Sequence, residues 1–380
     1  MKIALVTIHN ANNYGAIFQA FALQEVLSRY GEVEIVDYEN RHISRSFDLV
    51  RLKPTLHGAL GAGKDIFRIF PRARAIEKFK AFIRTNFKLT ARLSQRDLLQ
   101  NGLKDFDCYV AGSDQIWNPA CVSDRREIDP VYFLDFASNG CRKISYASSL
   151  GSYVYDENEK IILKNLLSDF SNISVREKSA KEFLDSLLGG GVSHVLDPTL
   201  LLSMEEWLVR LDVNNYKAKL PEEKYILLYT VPKVPLIRKA VDLVAKKMGL
   251  KIISLDQGLS AGAVVDRQIR DAGPLEFLKL FAGAEFIVTD SFHGVCFSLN
   301  FNKPFMAISP GKHSNRLESL LGGVGLTNRL IGSEDELKIF SGFEPDYSYR
   351  EALQSMREAS LNYLKSSLEG MEARSARLNQ

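Results

Sequence analysis

The residues with the clearest chemical potential lie at 286–299, where an apolar run is followed at once by polar residues and His293. The run Phe286–Thr289 is typical of a buried strand, and the residues after it predict the start of a helix. A helix amino terminus offers backbone N–H groups and a positive dipole end to an anion. A histidine beside such an anion can donate a proton near neutral pH. We therefore predict an anion site with His293 as general acid, against the alternative of a buried structural histidine.

Other residues suit the same anion. Ser291 and Gly294 flank His293 at the predicted helix start, so we expect them to contribute to the anion site. Arg176 follows a buried apolar run, and a guanidinium fork there suits a carboxylate or a phosphate; the alternative is a surface Arg–Glu pair. Arg316 opens a further predicted helix and is either a second anion clamp or an ordinary surface arginine.

Two more polar clusters predict a surface for a hydroxyl-rich ligand. The first follows the first apolar run and is typical either of turn and cap residues or of a cradle for an anion or sugar; it consists of Asn12, Asn13 and Tyr14. The second follows the apolar run at 108–111 and mixes hydroxyl, amide and aromatic groups. Its candidate ligand-binding residues are Ser113, Gln115, Trp117 and Asn118.

The elements that must position these residues form a regular alternation. Short apolar runs alternate with longer amphipathic segments, which is typical of βαβ units and parallel sheets. The polar clusters fall at the ends of the runs, and open α/β sheets bind ligands beyond the carboxyl ends of their strands. The predicted strands are 3–8, 33–38, 108–111, 144–147, 173–175, 194–196, 225–230, 251–255, 286–289 and 305–308.

Length and strand pattern together predict two domains, because 380 residues exceed one ordinary domain. The polar segment 212–221, which ends in proline, is the candidate linker. An insertion at about 41–94 contains the glycine-rich stretch 57–63, and it is either a mobile cover for a ligand or a plain surface excursion. The predicted parts are an N-terminal domain over 1–205, a C-terminal domain over 220–345 with the anion site, and a C-terminal helix within 346–380.

Composition excludes several classes of function. The net charge is only +3 and no long Lys/Arg block occurs, which argues against nucleic acid as a partner. The basic stretch 68–96 is broken by apolar residues at helical spacing, so it predicts a solvated helix face rather than a polyanion or membrane-surface patch. Four cysteines without a C-x-x-C pair indicate a reducing compartment and no structural zinc. We expect a cytoplasmic protein without metal or cofactor, whose first residues form a strand and not an export signal.

Several of these segments resemble the polysaccharide pyruvyl transferase family. The matching pieces occur in family order over roughly residues 1 to 330, and their order makes the resemblance specific. One departure concerns the donor site: many members have Arg-Leu-His where this chain has Ser291, Phe292 and His293. One expected guanidinium is therefore absent, and Arg316 or Arg267 is its candidate replacement. The matching pieces are 13–15, 107–118, 173–177, 195–199, 289–294 and 302–304.

The resemblance implies both a fold and a reaction. The fold is similar to that of GT-B glycosyltransferases, an α/β protein with two Rossmann-like doubly wound domains facing across a cleft. The C-terminal helix would pack back toward the N-terminal domain, which is the probable acceptor side. The reaction moves the pyruvyl group of phosphoenolpyruvate onto a sugar as a cyclic ketal and releases phosphate. Arg176 would hold the donor and His293 would be the general acid.

Some alternatives stay open at this point. Asp114 and Asp290 are both candidate bases toward the acceptor, and the sequence does not choose between them. The main rival function is a sugar-nucleotide glycosyltransferase of the same fold, and a second rival is a glycan-binding protein without catalysis. The acceptor glycan is either free or lipid-linked; a lipid-linked acceptor would bring the basic and aromatic segment 65–96 into peripheral contact with a membrane.

Overall fold

The computed structural model describes residues 1–49, 56–138, 140–218 and 220–369, and of residues 56–68 it describes the backbone alone. Residues 50–55, within the predicted insertion, lie outside the described part. The strands are β1 (Lys2–Val6), β2 (Glu32–Ile35), β3 (Cys108–Ala111), β4 (Arg142–Ser145), β5 (Ile173–Val175), β6 (Val192–His194), β7 (Tyr225–Tyr229), β8 (Lys251–Leu255), β9 (Arg267–Ile269), β10 (Phe286–Thr289), β11 (Phe305–Ile308) and β12 (Leu330–Ile331).

The helices alternate with these strands. Short 3-10 turns at Arg45–Phe47, Pro130–Phe133, Pro198–Leu200, Gly311–His313 and Thr327–Arg329 complete the described secondary structure. The α-helices are α1 (Tyr14–Leu27), α2 (Arg41–Ser44), α3 (Leu56–Asn86), α4 (Gln95–Asn101), α5 (Pro119–Val122), α6 (Glu157–Leu167), α7 (Lys178–Leu188), α8 (Met204–Arg210), α9 (Leu236–Met248), α10 (Pro274–Gly283), α11 (Phe292–Asn300), α12 (Asn315–Gly323), α13 (Glu334–Ile339) and α14 (Arg350–Glu369).

The chain divides into two compact units. Unit 1 consists of Met1–Ser46, Asn86–Leu201 and the described chain from Glu351 onward. Unit 2 consists of Phe47–Thr85 and Leu202–Arg350. The middle of the predicted insertion therefore belongs to unit 2, and its glycine-rich stretch lies in helix α3.

Unit 1 contains a parallel sheet with the strand order β2-β1-β3-β4. Serine side chains extend this sheet to the β5-β6 pair: Ser145 Oγ accepts from the Ser174 N–H at 2.8 Å, and Ser174 Oγ donates to the Ser145 carbonyl at 2.9 Å. Helix α14 lies against the same unit, where Ser360 Oγ accepts from the Leu196 N–H at 2.9 Å and Tyr363 donates to the Ser145 carbonyl. The order reverses at β1 and β3, so the ligand crevice of this sheet is expected between their carboxyl ends.

Unit 2 contains a parallel sheet with the strand order β12-β11-β10-β7-β8-β9. Its order reverses between β7 and β10, which places the corresponding crevice between the carboxyl ends of those two strands. The inner strands β7 and β10 are buried at every residue, and most of their side chains are apolar. Each unit is thus a doubly wound, Rossmann-like α/β domain, as the sequence predicts.

The basic stretch on α3 is largely tied to unit 2 itself. Arg74 lies 3.2 Å from Asp271, and Lys78 pairs with the buried carboxylate of Glu276. Arg72 donates to the Asp48 carbonyl at 3.0 Å. These contacts hold the helix against unit 2, while the Arg74 side chain stays 69% exposed, as expected of a solvated helix face.

Candidate functional site

The carboxyl edge of the unit 2 sheet begins with the sharp turn from β10 into α11. Ser291 is the N-cap of α11, and its Oγ accepts from the Gly294 N–H at 3.4 Å. Gly294 is required here because a Cβ atom would fall inside van der Waals contact with the Thr289 side chain. Helix α11 can therefore start directly at the end of the strand. Its positive end lies in the β7/β10 crevice, where an anion is stabilised.

His293 occupies the second position of α11 and is 8% exposed. Its ring meets the Phe292 ring edge to face at 5.3 Å between centroids. The guanidinium of Arg316, in the first turn of α12, lies over the same Phe292 ring at 5.5 Å. His293 and Arg316 thus contact the same aromatic ring, and each lies at the amino terminus of a helix. This grouping suits a small anion with several negative charges.

Asp290 is held as an anchor of the loop that follows β7. Its two carboxylate oxygens accept from the Val231 N–H at 2.8 Å and the Val234 N–H at 3.1 Å. Burial raises the pKa of Asp290 above the ordinary value, although these backbone N–H groups act in the opposite direction. A carboxylate whose oxygens already hold backbone groups is badly placed to take a proton from a sugar. The geometry therefore favours Asp114 over Asp290 as the base.

Two further cations of unit 2 lie at opposite edges of its sheet. Lys233, in the loop after β7, lies 2.5 Å from Asp256 and donates to the Ser260 carbonyl at 2.7 Å. The sequence analysis missed this residue, although its place after a buried strand was a usable signal. Arg267 instead starts β9 and lines a hollow together with Lys251, the first residue of β8. Of the two predicted replacements for the missing guanidinium, only Arg316 lies with His293.

The carboxyl edge of the unit 1 sheet holds a buried ion cluster around Arg176. The Arg176 side chain is 1% exposed; its Nη1 lies 2.6 Å from Asp197, its Nη2 3.3 Å from Asp114, and its Nε 3.5 Å from Glu177. Ser149 donates to the Glu177 carboxylate. Burial alone would lower the pKa of Arg176, but the three carboxylates outweigh burial and raise it.

This cluster changes the role that the sequence suggests for Arg176. We predicted a fork that holds the donor anion, but the fork is buried and faces Asp197, Asp114 and Glu177. A donor anion at this guanidinium would meet three carboxylates. The geometry therefore fits a positioning role, in which Arg176 holds Asp114 and orders the ends of β3, β5 and β6.

Asp114 is the least buried carboxylate of the cluster. It adopts a left-handed backbone conformation with a φ of 71°, and its side chain is 14% exposed. One oxygen, Oδ1, accepts both from Arg176 and from the Gln115 N–H at 2.8 Å. A left-handed aspartate costs conformational energy, and such strain is concentrated at functional sites. This carboxylate is the best-placed proton acceptor among the residues that we predicted for unit 1.

Most of the other residues after β3 that we predicted to bind the acceptor make contacts within the protein instead. Trp117 is 0% exposed, stacks on Phe133 with 5.4 Å between ring centroids, and donates to the Tyr132 carbonyl. Asn118 donates to Gln115 at 2.9 Å. Ser113 is buried, and its Oγ donates to the Ala147 carbonyl at 3.0 Å. Trp117 and Ser113 therefore cannot touch a ligand in this conformation, which corrects our expectation for these two residues.

The first polar cluster lies at the start of α1. Asn13 is exposed and caps the helix, with its side chain accepting from the Ala16 N–H at 3.2 Å. Asn12 is half-buried, and its N–H donates to Ser46 Oγ at 2.9 Å. Tyr14 is buried in the first turn of α1. Asn12 and Asn13 thus keep polar groups near the carboxyl end of β1, whereas Tyr14 mainly supports the helix.

Comparison with known proteins identifies the family. The family model described as polysaccharide pyruvyl transferase matches residues 13–312, which is most of the chain. The chain belongs to this family. Its members are transferases, and the family description implies a glycan acceptor. Among curated proteins, none matches the sequence.

Solved structures support the fold of this family member. S. aureus MnaA, in a co-structure with UDP, has a TM-score of 0.52 at 14% identity and covers 97% of both chains. The UDP-GlcNAc 2-epimerase from Neisseria meningitidis has a TM-score of 0.51 at 12% identity and covers 96% of this chain and 100% of its own. A putative UDP-N-acetylglucosamine 2-epimerase from Listeria monocytogenes has a TM-score of 0.52 at 10% identity and covers 97% of both chains. These likenesses confirm the GT-B-type α/β fold.

Over the described ranges, no group of three or more His, Cys, Asp or Glu side chains is arranged to hold a metal ion. In the same part of the chain, no helix is both long and apolar enough to span a bilayer.

Proposed function

We propose that this family member transfers the pyruvyl group of phosphoenolpyruvate to a sugar of a polysaccharide or its precursor, forms a cyclic ketal and releases phosphate. One observation carries the proposal: His293 lies in the first turn of α11, with Arg316 over the adjoining Phe292 ring at 5.5 Å. Phosphoenolpyruvate combines a carboxylate and a phosphate on three carbons, so it needs this combination of cation, helix terminus and proton donor.

The donor is held by unit 2. Ser291 and Gly294 form the start of α11, and Arg316 supplies a guanidinium from the start of α12. The resemblance to the family implies a guanidinium at the position of Ser291. Here Ser291 serves as N-cap, which arginine cannot do because it has no acceptor atom. Arg316 therefore takes over the electrostatic role while Ser291 stabilises the helix start.

His293 delivers the proton that starts the reaction. Its transfer to the methylene carbon forms the methyl group and leaves an oxocarbenium-like centre at the neighbouring carbon. A placed general acid contributes roughly 10²–10⁴-fold to such a step. The positive helix end and Arg316 stabilise the carboxylate and phosphate while the C–O bond to phosphate breaks.

The acceptor is activated by unit 1. A first sugar hydroxyl attacks the central carbon and gives its proton to Asp114, and a second hydroxyl closes the ketal as phosphate leaves. Of the two hydroxyl protons, one balances the proton used for the methyl group and the other leaves on phosphate. Arg176 keeps Asp114 oriented through the 3.3 Å contact to Oδ1. Asn12, Asn13, Gln115 and Asn118 are the polar groups that we assign to the acceptor side.

The reaction needs no metal or cofactor in this proposal, because the protonated histidine and the cations supply the electrophilic assistance. We place the enzyme in the cytoplasm, a reducing compartment in which disulfides are rare. We take the acceptor to be a glycan, either free or lipid-linked.

A binding and turnover experiment tests the proposal. Isothermal titration of the full chain with phosphoenolpyruvate, a UDP-sugar and a GDP-sugar is expected to show binding of phosphoenolpyruvate. Phosphate release from phosphoenolpyruvate is expected only when a glycan from a panel of free and lipid-linked sugars is present. Tight binding of a nucleotide sugar without binding of phosphoenolpyruvate would support the glycosyltransferase instead. Binding without phosphate release on any glycan would support a non-catalytic glycan-binding protein.

A further inference from the structure

A second histidine, His9, lies three residues after the carboxyl end of β1 and contacts Asp37, which follows β2 in unit 1. Its side chain is 3% exposed, and both ring nitrogens have close oxygen neighbours. Nδ1 lies 3.2 Å from the Thr7 carbonyl oxygen, and Nε2 lies 3.2 Å from Asp37 Oδ1. The proposed reaction uses none of these three residues.

The two neighbours of the His9 ring can only accept hydrogen bonds, because a carbonyl and a carboxylate have no hydrogen to donate. Arg92 Nε lies 3.1 Å from the other oxygen of Asp37. Burial alone would raise the pKa of Asp37, but the hydrogen bond and charge of His9 together with Arg92 outweigh burial and lower it. Asp37 is therefore an anion, and a ring with a single hydrogen would point a lone pair at an oxygen.

This contact ties the connection between β1 and α1, residues 7–13, to the end of β2. Thr7 also joins the next strand, since its hydroxyl donates to the Ser113 carbonyl at 3.0 Å and accepts from Gln19 Nε2 at 2.9 Å. Ser113 directly precedes Asp114. The position of the proposed base and that of the β1–α1 connection therefore depend on one hydrogen-bonded group.

We propose that His9 is a positioning residue that carries hydrogen on both ring nitrogens and pins the β1–α1 connection beside Asp114. The assignment of this connection to the acceptor side rests on the proposed function, whereas the structural role of His9 does not. The charged groups around His9 are Asp37 and Arg92. The neutral groups are the Thr7 carbonyl, which contacts the ring, and Gln19, which donates to the Thr7 hydroxyl.

The chain provides a matched control at its surface. His42 Nδ1 lies 2.7 Å from Asp124, which also pairs with Arg45 at 2.6 Å. The chemical groups are the same as in the His9 cluster, but the Asp124 side chain is 64% exposed. Solvent screens such a pair, so its loss is expected to have little effect on the backbone.

Nitrogen NMR of the full chain with ¹⁵N-labelled histidine tests the protonation of His9 without any substrate. At neutral pH we expect both ring nitrogens of His9 to show the shifts of nitrogens that carry hydrogen. Asp37→Asn is expected to convert His9 to a ring with one hydrogen, whereas Asp124→Asn leaves the His9 signals unchanged. A wild-type His9 ring with one bare nitrogen at neutral pH would overturn the proposal, and this result requires no variant to fold.

Hydrogen exchange tests the pin. In His9→Gln we expect the amides of residues 8–13 to exchange about tenfold faster than in the wild type, because a charge-assisted hydrogen bond is lost. His42→Gln is expected to leave these amides unchanged. Equal exchange of residues 8–13 in His9→Gln and the wild type would refute the pin. Since neither readout uses phosphoenolpyruvate or a glycan, failure of the proposed reaction leaves both results interpretable.

Discussion

The carboxyl edges of the two sheets differ in the ionisable side chains that they hold. In unit 1, one guanidinium, that of Arg176, lies among three carboxylates and is buried. In unit 2, the carboxylate oxygens of Asp290 accept hydrogen bonds from backbone N–H groups, while His293 and Arg316 lie at two helix starts. The same position in a doubly wound domain thus holds three carboxylates around one guanidinium in one unit, and a histidine and an arginine at helix starts in the other.

This difference suits a division in which unit 2 binds the donor and unit 1 activates the acceptor. In the reaction that we propose, a trianionic donor would be stabilised by the cations and helix termini of unit 2 and repelled by the carboxylates of unit 1. A sugar hydroxyl needs a proton acceptor, which unit 1 offers in Asp114. Arg176 illustrates the point most clearly, because a residue expected to bind the donor is instead committed to carboxylates of its own domain.

The largest expected effect is on turnover, from replacement of the proposed acid. His293→Gln keeps a polar side chain of similar size but cannot deliver a proton, so we expect phosphate release to fall by roughly 10²–10⁴-fold with an unchanged melting temperature. His42→Gln, which changes a surface histidine, is the control and should retain full activity. Wild-type turnover in His293→Gln would show that His293 is not the general acid.

The next effect is on stability, from Arg176. Arg176→Ala leaves three carboxylates without their counter-charge, and breaking a buried pair in this way costs about 3–5 kcal/mol. Arg176→Lys should recover part of this loss, because an ammonium restores charge but not the fork. Urea denaturation measures both. The control is Lys251→Ala, which removes an exposed ion pair with Glu223 and should leave the midpoint unchanged.

If Arg176 held the donor instead, a different pattern would follow. Arg176→Lys would then be as stable as the wild type and would need far more phosphoenolpyruvate for half-maximal rate. Such a result would assign donor binding to unit 1 and not to unit 2.

A smaller effect is expected from Arg316. Arg316→Gln removes one charge-assisted contact to the donor, so the phosphoenolpyruvate concentration for half-maximal rate should rise about tenfold, with little change in kcat. Arg267→Gln is the matched control, because this exposed arginine starts β9 and lies away from the carboxyl edge. Equal effects of the two substitutions would show that only the general charge of unit 2 matters.

The sequence predicts the buried parts of the fold well. The runs at Cys108–Ala111 and Phe286–Thr289 are found as strands at the predicted bounds, because each is a continuous apolar stretch with polar residues on both sides. Strand β9 was missed, since Arg267–Ile269 is short and contains two polar residues. The glycine-rich stretch was assigned to a mobile cover or a surface excursion, and no helix was predicted over it. It lies in α3, which shows that local propensity is a weak guide there.

The candidate site is predictable only in part. The place of His293 and Arg316 at helix starts follows from local patterns of apolar run, cap and helix. The partners of Arg176 do not, because Asp114 and Asp197 approach it from other strands through the tertiary fold. For Trp117, the sequence gives its position after a strand but not its direction, and the side chain points into the core of unit 1.

The most direct test of the two-edge account is the hydrogen-exchange footprint of phosphoenolpyruvate on the full wild-type chain. We expect the donor to slow amide exchange at residues 290–296 and 314–318 of unit 2, and to leave residues 111–118 and 174–178 of unit 1 unchanged. Protection of 174–178 and 111–118, with none at 290–296, would contradict the account and return the donor to Arg176.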